Sequence, residues 1–126
     1  MTAALRNLLP VLDTTCLQDL ADALTPAAAE RYAADYLGLL PARVERIVRA
    51  LNSQDRDAAM DAALSLKVSS AMIGALRMEH IGVRLEKALA MDDHYAALTA
   101  GHEAAQHSVQ LEAHLAGRHD AQALSA

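Results

Sequence analysis

The stretch Ala63-Leu64-Ser65-Leu66-Lys67-Val68-Ser69-Ser70-Ala71-Met72-Ile73-Gly74-Ala75 decides the fold that we predict for this chain. Alanine, leucine and methionine are strong helix formers, and apolar residues recur along the stretch at helical spacing. Gly74 follows the last residue of this pattern, where a glycine commonly caps a helix in the left-handed conformation. We therefore predict a helix over about 54–73 that stops at Gly74.

This helix is predicted to be apolar on two sides, at about 100° per residue. The side expected to face the core consists of Ala59, Ala63, Leu66, Ser70 and Ile73. A second stripe points well away from it and consists of Met60, Leu64, Val68, Met72 and Ala75. Such a helix is either buried on both sides or exposes a patch meant for a partner. Alternatively, Met60 and Met72 cover neighbouring loops, and only Leu64 and Val68 are exposed.

The rest of the chain reads as further helices joined by short turns. Apolar periodicity and turn residues predict them over about 16–24, 26–51, 75–91 and 94–117. The tail over 118–126 has no pattern and is predicted to be frayed. In the last helix, the side predicted to face the core is the stripe of Tyr95, Leu98, His102, Ala105 and Val109.

Two prolines shape the long helix over 26–51. Thr25 and Pro26 have the sequence of an N-cap followed by a proline in the first turn, where its missing N–H costs nothing. Pro41 lies inside the helix and is expected to kink or break it, because its ring collides with the carbonyl of Leu37.

Long amphipathic segments with short connections favour antiparallel neighbours. The predicted fold is all-α: an antiparallel up-down-up-down four-helix bundle with an additional short N-terminal helix. A chain of 126 residues makes one ordinary domain, here 1–126 with its core over about 9–117. Alanine supplies much of the 53% hydrophobic content, and Phe and Trp are absent, which suits closely packed helices.

Charge and composition exclude several classes of function. The net charge of -5 argues against a binder of nucleic acid, which would concentrate Lys and Arg. No apolar run approaches the roughly 18 residues of a membrane span, and residues 1–10 lack the organisation of a signal peptide. We therefore expect a cytoplasmic protein. The single cysteine, Cys16, provides neither an internal disulfide nor a cysteine metal cluster.

The opening stretch resembles the signature of the histidine-phosphotransfer (HPt) family, which reads His, any residue, Leu, Lys, Gly, Ser, Ser or Ala, Ala, any residue, Ile or Leu, Gly. The residues in register with it are Leu66, Lys67, Ser69, Ser70, Ala71, Ile73 and Gly74. Three flanking segments, at 10–13, 36–43 and 84–86, resemble the lead-in, second helix and fourth helix of the family. The resemblance covers about residues 9–115.

In this register the chain departs from the family at two chemically important positions. Leu64 occupies the position of the phosphate-accepting histidine, and Val68 that of a glycine one turn later. His80 is the first histidine of the chain and lies beyond Gly74, so no shifted alignment supplies the missing one. A leucine has no nucleophile to attack an aspartyl phosphate.

The resemblance also implies a docking face, because receiver domains dock on the outward side of this helix in the family. The implied partner-binding residues are Met60, Leu64, Lys67, Val68, Ala71, Met72 and Ala75. We expect a signalling protein that binds a response-regulator receiver or a histidine-kinase domain without accepting phosphate. The alternatives are a structural bundle that forms a homodimer through the same stripe, and a decoy that competes for receivers.

Enzymatic activity and a bound cofactor are not expected. Ser65 is turned about 100° away from Leu64 and has no neighbouring base, so we discount it as an alternative phosphate acceptor. In the last helix, Glu103 and His107 share a face and His114 lies two turns on, but no further ligands are supplied at fixed spacing, so we expect no metal site. We expect His107 and His114 to be solvated and His102 to be half-buried.

Overall fold

A computed structural model describes Asp19, Asp22, Ala23 and residues 25–125, with side chains described as far as residue 113. Its long helices are α1 (Pro26–Asn52), α2 (Arg56–Ile73), α3 (Leu76–Ala90) and α4 (His94–Ser125). Each packs against the next, and α1 also packs against α4, which closes the bundle. The predicted all-α four-helix bundle is confirmed. The short helix predicted over 16–24 lies outside the described residues, apart from Asp19, Asp22 and Ala23.

The start of α1 forms as its sequence predicts. The Thr25 hydroxyl accepts a hydrogen bond from the amide of Ala28 at 3.0 Å, and Pro26 occupies the first turn. Pro41 does not break the helix, which is continuous to Asn52. Leu40 and Val44 flank the proline and are buried in the core, so tertiary packing holds this part of α1 despite the lost backbone hydrogen bond.

The α1–α2 and α3–α4 loops repeat one backbone geometry. Gln54 and Asp92 have φ of 56° and 54°, in the left-handed region. The next residue in each loop, Asp55 or Asp93, donates its amide to a carbonyl five residues earlier at 2.9 Å. The carboxylates of the same aspartates accept the amide three residues later, at 3.1 and 3.0 Å. Both loops therefore end one helix and cap the next within three residues.

The inward side of α4 differs from the predicted stripe. Among the α4 side chains up to residue 113, the buried ones are Ala97, Ala100, Ala104 and Leu111, whereas Tyr95, His102 and Val109 are exposed. Small residues allow α4 to approach α1 closely: a Cβ added at Gly101 would lie 2.8 Å from Cδ1 of Leu51. The helix also continues to Ser125, so the predicted end at about 117 is wrong.

Within the described part of the chain, no helix combines the length and the apolar character that a membrane span requires.

Candidate functional site

The outward side of α2 carries three exposed apolar side chains at intervals of four residues. Leu64, Val68 and Met72 are 36%, 55% and 50% exposed, and we call these three residues the α2 face. Four residues correspond to slightly more than one turn of helix, so the side chains form one row about 12 Å long. The opposite side of α2 is buried, with Leu66 and Ile73 fully enclosed. The α2 face is thus distinct from the core.

The limits of this face differ from the predicted stripe at both ends. Met60 is only half-buried and packs against the core cluster, and Ala71 is half-buried. Ala75 is fully buried and belongs to the core, so its prediction as a partner-binding residue is wrong. The reason is that α2 ends at Ile73 and Gly74 adopts φ of 79°, which turns the chain before Ala75.

An ion pair borders the α2 face on the side of α3. The Lys67 ammonium donates to a carboxylate oxygen of Glu86 at 2.7 Å, and both side chains are about one-third exposed. A close approach of the two helices supports the pair, because a Cβ added at Gly82 would lie 3.1 Å from the backbone of Lys67. Lys67 therefore neither points freely into solvent nor carries an uncompensated charge beside Leu64 and Val68.

A tyrosine of α1 borders the other end of the face. The Tyr32 hydroxyl donates to the sulfur of Met72 at 3.1 Å. One turn further along α1, the hydroxyls of Tyr36 and Ser70 are 2.7 Å apart and buried. This hydrogen bond satisfies the one polar side chain, Ser70, that the sequence places on the inward side of α2. It fixes the register of α2 against α1 beneath the face.

Tyr36 makes the stability of the bundle depend on pH at the alkaline end. Burial disfavours the phenolate and raises the pKa of Tyr36 to about 12, although the Ser70 hydrogen bond and the charge of Arg43 act in the opposite direction. In the unfolded chain the tyrosine ionises near 10. Unfolding above that pH therefore releases a proton, and the free energy of unfolding falls as the pH rises from about 10 to 12, by up to about 1.4 kcal/mol per unit.

Denaturant titrations at about pH 9 and 11 measure this effect. In Tyr36→Phe the Ser70 hydroxyl loses its partner, which lowers stability at both pH values. The decrease between the two values should be smaller in the variant, because the phenylalanine at position 36 has no hydroxyl to ionise. An equal decrease in wild type and variant would contradict the assignment to Tyr36.

The carboxylate of Glu103, which shares a face of α4 with His107, is already bound within the bundle. Both carboxylate oxygens of Glu103 accept hydrogen bonds from the Arg84 guanidinium, at 2.7 and 3.1 Å. His107 is half-buried and His102 exposed, the reverse of their predicted environments, and the side chain of His114 lies outside the described part. Among the side chains that are described, His, Cys, Asp and Glu form no group of three suited to a metal ion.

A cleft at the end of the bundle lies between the two similar loops. Part of its polar lining is engaged within the protein: the Arg56 guanidinium donates to the carbonyl of Leu89 at 3.1 Å, and Asp55 and Asp93 cap helices. Asp92 lies 3.6 Å from Arg56. These internal contacts engage Asp55, Arg56, Asp92 and Asp93 without a ligand.

A comparison with protein families identifies the bundle. The family model described as the Hpt domain matches residues 31–125, which include all of α2, α3 and α4 and most of α1. The chain belongs to the Hpt domain family. No curated protein and no solved structure matches it.

Membership of the Hpt family gives the chain a general function. Hpt domains are phosphotransfer carriers of two-component phosphorelays and interact with histidine kinases and response regulators. The chain is therefore a signalling protein of the phosphorelay type.

The pattern of the sequence does not predict two contacts that shape the α2 face, Lys67–Glu86 and Tyr32–Met72. The residues of each pair come from different helices, so helical spacing does not relate them.

Proposed function

We propose that this Hpt domain binds a receiver or kinase domain through the α2 face and does not accept the phosphoryl group. The observation that carries the proposal is the exposure of Leu64 and Val68 on consecutive turns of α2. In the register of the family signature, these are the positions of the acceptor histidine and of the glycine that leaves room for the incoming partner. An aliphatic pair there favours contact and removes the nucleophile.

The geometry around Leu64 supports docking. The row formed by Leu64, Val68 and Met72 is continuous, and each such side chain contributes about 1.5–3 kcal/mol when it is transferred fully from water into an apolar interface. Aliphatic residues at the centre of a small contact, bordered by polar groups, are typical of protein interfaces. The Lys67–Glu86 pair and the Tyr32 hydroxyl are the polar border here.

The electrostatics of the same face support the absence of transfer. During transfer, the negative charge of a phosphoryl group is stabilised by a nearby positive charge that is not already compensated. Lys67, the cation of the family signature, is held by Glu86 at 2.7 Å. Leu64 therefore takes the place of the nucleophile, and the ion pair with Glu86 compensates the charge of Lys67.

Replacing Leu64 by aspartate tests the docking proposal. The partner is first identified by measuring the binding of the 126-residue protein to the receiver and kinase domains of its own genome. We expect Leu64→Asp to weaken that binding at least about tenfold, because a carboxylate would be buried without a partner at the centre of the contact. Isothermal titration calorimetry of both proteins measures the difference.

Val109→Asp is the matched control for this experiment. Val109 is an exposed aliphatic residue on α4, so the substitution adds the same charge on another helix and should leave partner affinity unchanged. Equal affinities of wild type and Leu64→Asp, with Val109→Asp also unchanged, would contradict the proposal. Circular dichroism should show that both variants keep the helical fold, because both positions are exposed.

A further inference from the structure

Glu86 is the acidic partner of Lys67 at the edge of the α2 face. The two side chains are about one-third exposed, and their charged atoms are 2.7 Å apart. By comparison, the Arg49–Glu45 pair on α1 joins side chains that are more than two-thirds exposed. A partly buried pair is screened less by water and salt than a pair on the open surface. The charge of Lys67 is therefore compensated within the domain itself.

The packing of α3 against α2 holds this ion pair in place. Gly82 lies so close to the backbone of Lys67 that an added Cβ would be 3.1 Å away from it. Glu86 follows Gly82 by four residues, which places both on the same side of α3. The close contact at Gly82 thus positions the carboxylate of Glu86 beside the Lys67 side chain. The pair depends on two packed helices and not on a loop.

Other cations of α2 and α3 do not replace Lys67 beside the α2 face. Arg56, the one other Lys or Arg of α2, comes eight residues before Leu64, about 12 Å along the helix. Its guanidinium donates to a backbone carbonyl of α3. Lys87 lies about 100° around α3 from Glu86 and is therefore turned away from Lys67.

Two hydroxyl groups beside the α2 face are also engaged within the protein. The Ser69 hydroxyl donates to the carbonyl of Ser65 at 2.7 Å. The Tyr32 hydroxyl donates to the sulfur of Met72 at 3.1 Å. Neither hydroxyl hydrogen can serve a phosphoryl oxygen without giving up its internal acceptor.

A receiver that docks in the register of the family would bring its phosphorylation site toward position 64. Lys67 comes three residues later, and residues at this spacing are neighbours on a helix surface. Phosphorylation of an aspartate raises its negative charge and adds strong acceptor oxygens. An uncompensated lysine would attract that group and favour the phosphorylated receiver. Beside Lys67, the attraction is offset by repulsion from Glu86.

We propose that Glu86 makes docking on the α2 face insensitive to the phosphorylation state of a receiver domain. The occupant is a receiver whose aspartate is either free or phosphorylated, and both forms are held with similar affinity. Glu86 acts through Lys67 and determines specificity without contacting the phosphoryl group. This inference rests on the proposed docking function and adds which state of the partner the face accepts.

Titration calorimetry with a receiver in the presence and absence of beryllofluoride tests the inference. Beryllofluoride occupies the receiver aspartate as a stable analogue of the phosphoryl group. For the wild type we expect the Kd values of the two receiver forms to agree within about threefold. In Glu86→Gln the amide carries no charge, so Lys67 can contact the analogue, and the beryllofluoride form should bind about tenfold more tightly than the free form.

Two further variants assign the effect to the ion pair. Glu112→Gln removes the same charge at an exposed position of α4 and should behave as the wild type. Adding Lys67→Gln to Glu86→Gln should abolish the new preference, because the cation that contacts the analogue is then lost. Circular dichroism should show an unchanged helical fold in every variant, because ion pairs near the surface contribute little to stability.

The outcomes separate this inference from the docking proposal. A wild type that binds the beryllofluoride form more than about threefold more tightly would overturn the inference, and so would a Glu86→Gln variant that is no more selective than the wild type. A preference that survives in the double variant would also overturn it. If Leu64→Asp still weakens binding of both receiver forms, the docking proposal stands in each case.

Two other results bear on the proposals differently. Receiver binding that Leu64→Asp leaves unchanged would contradict docking on the α2 face, and the inference would fall with it. Binding to kinase domains alone would overturn the inference and leave the docking proposal in place.

Discussion

Replacing Leu64 by histidine and Val68 by glycine is expected to convert this domain into a phosphate acceptor. The imidazole at position 64 would project from the exposed side of α2, and the glycine one turn later would leave room for a partner. The imidazole nitrogen then attacks the phosphorus of an aspartyl phosphate, and the aspartate carboxylate leaves. The Lys67–Glu86 ion pair persists in this variant and should slow the transfer, so we expect partial, acid-labile phosphorylation of the double variant after prolonged incubation with a phosphorylated receiver domain that binds it, measured by intact-protein mass spectrometry.

The wild type provides the control for this gain of function. It carries an exposed histidine, His102, on α4. If phosphate transfer required only an accessible imidazole, the wild type would also be labelled, and the assignment of position 64 would be wrong. Val109→His extends the control by placing a new imidazole at a well-exposed position away from the α2 face. Labelling confined to the double variant would support both the register and the proposed reason for the absence of transfer.

Leu66→Ala is expected to produce the largest loss of stability among single substitutions on α2. Leu66 is fully buried, and it lies on the side of α2 opposite Leu64. Truncation of a buried leucine to alanine typically costs about 2–5 kcal/mol, because transfer energy is lost and a cavity remains. Since domains of this kind are stable by about 5–15 kcal/mol, the change removes a large share of the total. Urea denaturation followed by circular dichroism measures the change.

The neighbouring position gives a sharp comparison for Leu66→Ala. Leu64→Ala removes the same atoms two residues away, but from a side chain that is more than one-third exposed, so it should cost well under about 2 kcal/mol. Similar losses in the two variants would mean that α2 does not present two distinct sides. The expected pattern is a large loss of stability in Leu66→Ala and a specific loss of partner binding in Leu64→Asp.

Local signals in the sequence predict most of the fold. The cap at Thr25, the stop at Gly74 and the period of α2 each depend on residues within one or two turns of one another, and the structure confirms them. Pro41 is the exception among these local signals. Its clash with Leu37 is local, but the packing of α1 against α2 and α4 keeps the helix continuous.

The errors arise where packing between helices decides the outcome. In α4 the larger apolar residues suggested an inward stripe, yet three alanines and Gly101 form most of the inward side, because only small residues allow the close approach to Leu51. At Ala75 the helical period was extended past the end of α2, and the left-handed turn at Gly74 changes the direction of the chain. Periodicity identifies an amphipathic helix, but it does not choose between a face of small residues and a face of large ones.

The candidate site is only partly predictable from the sequence, because it depends both on the period of one helix and on packing between helices. Its three exposed residues follow from the period of one helix, but its borders come from Glu86 on α3 and Tyr32 on α1. These residues are 19 and 40 positions away in sequence from their partners. Identifying such pairs requires knowledge of how the helices are registered against one another.

Leu64 has a consequence for how such a domain would act in a cell. A relay protein with a histidine is regenerated each time it passes on its phosphate, so a few copies can serve many partner molecules. A domain that only docks acts by occupancy, and the fraction of partner it holds depends on its free concentration relative to Kd. Its influence would therefore scale with its abundance and require copy numbers comparable to those of its partner. Expression level would then be the quantity through which the cell sets its effect.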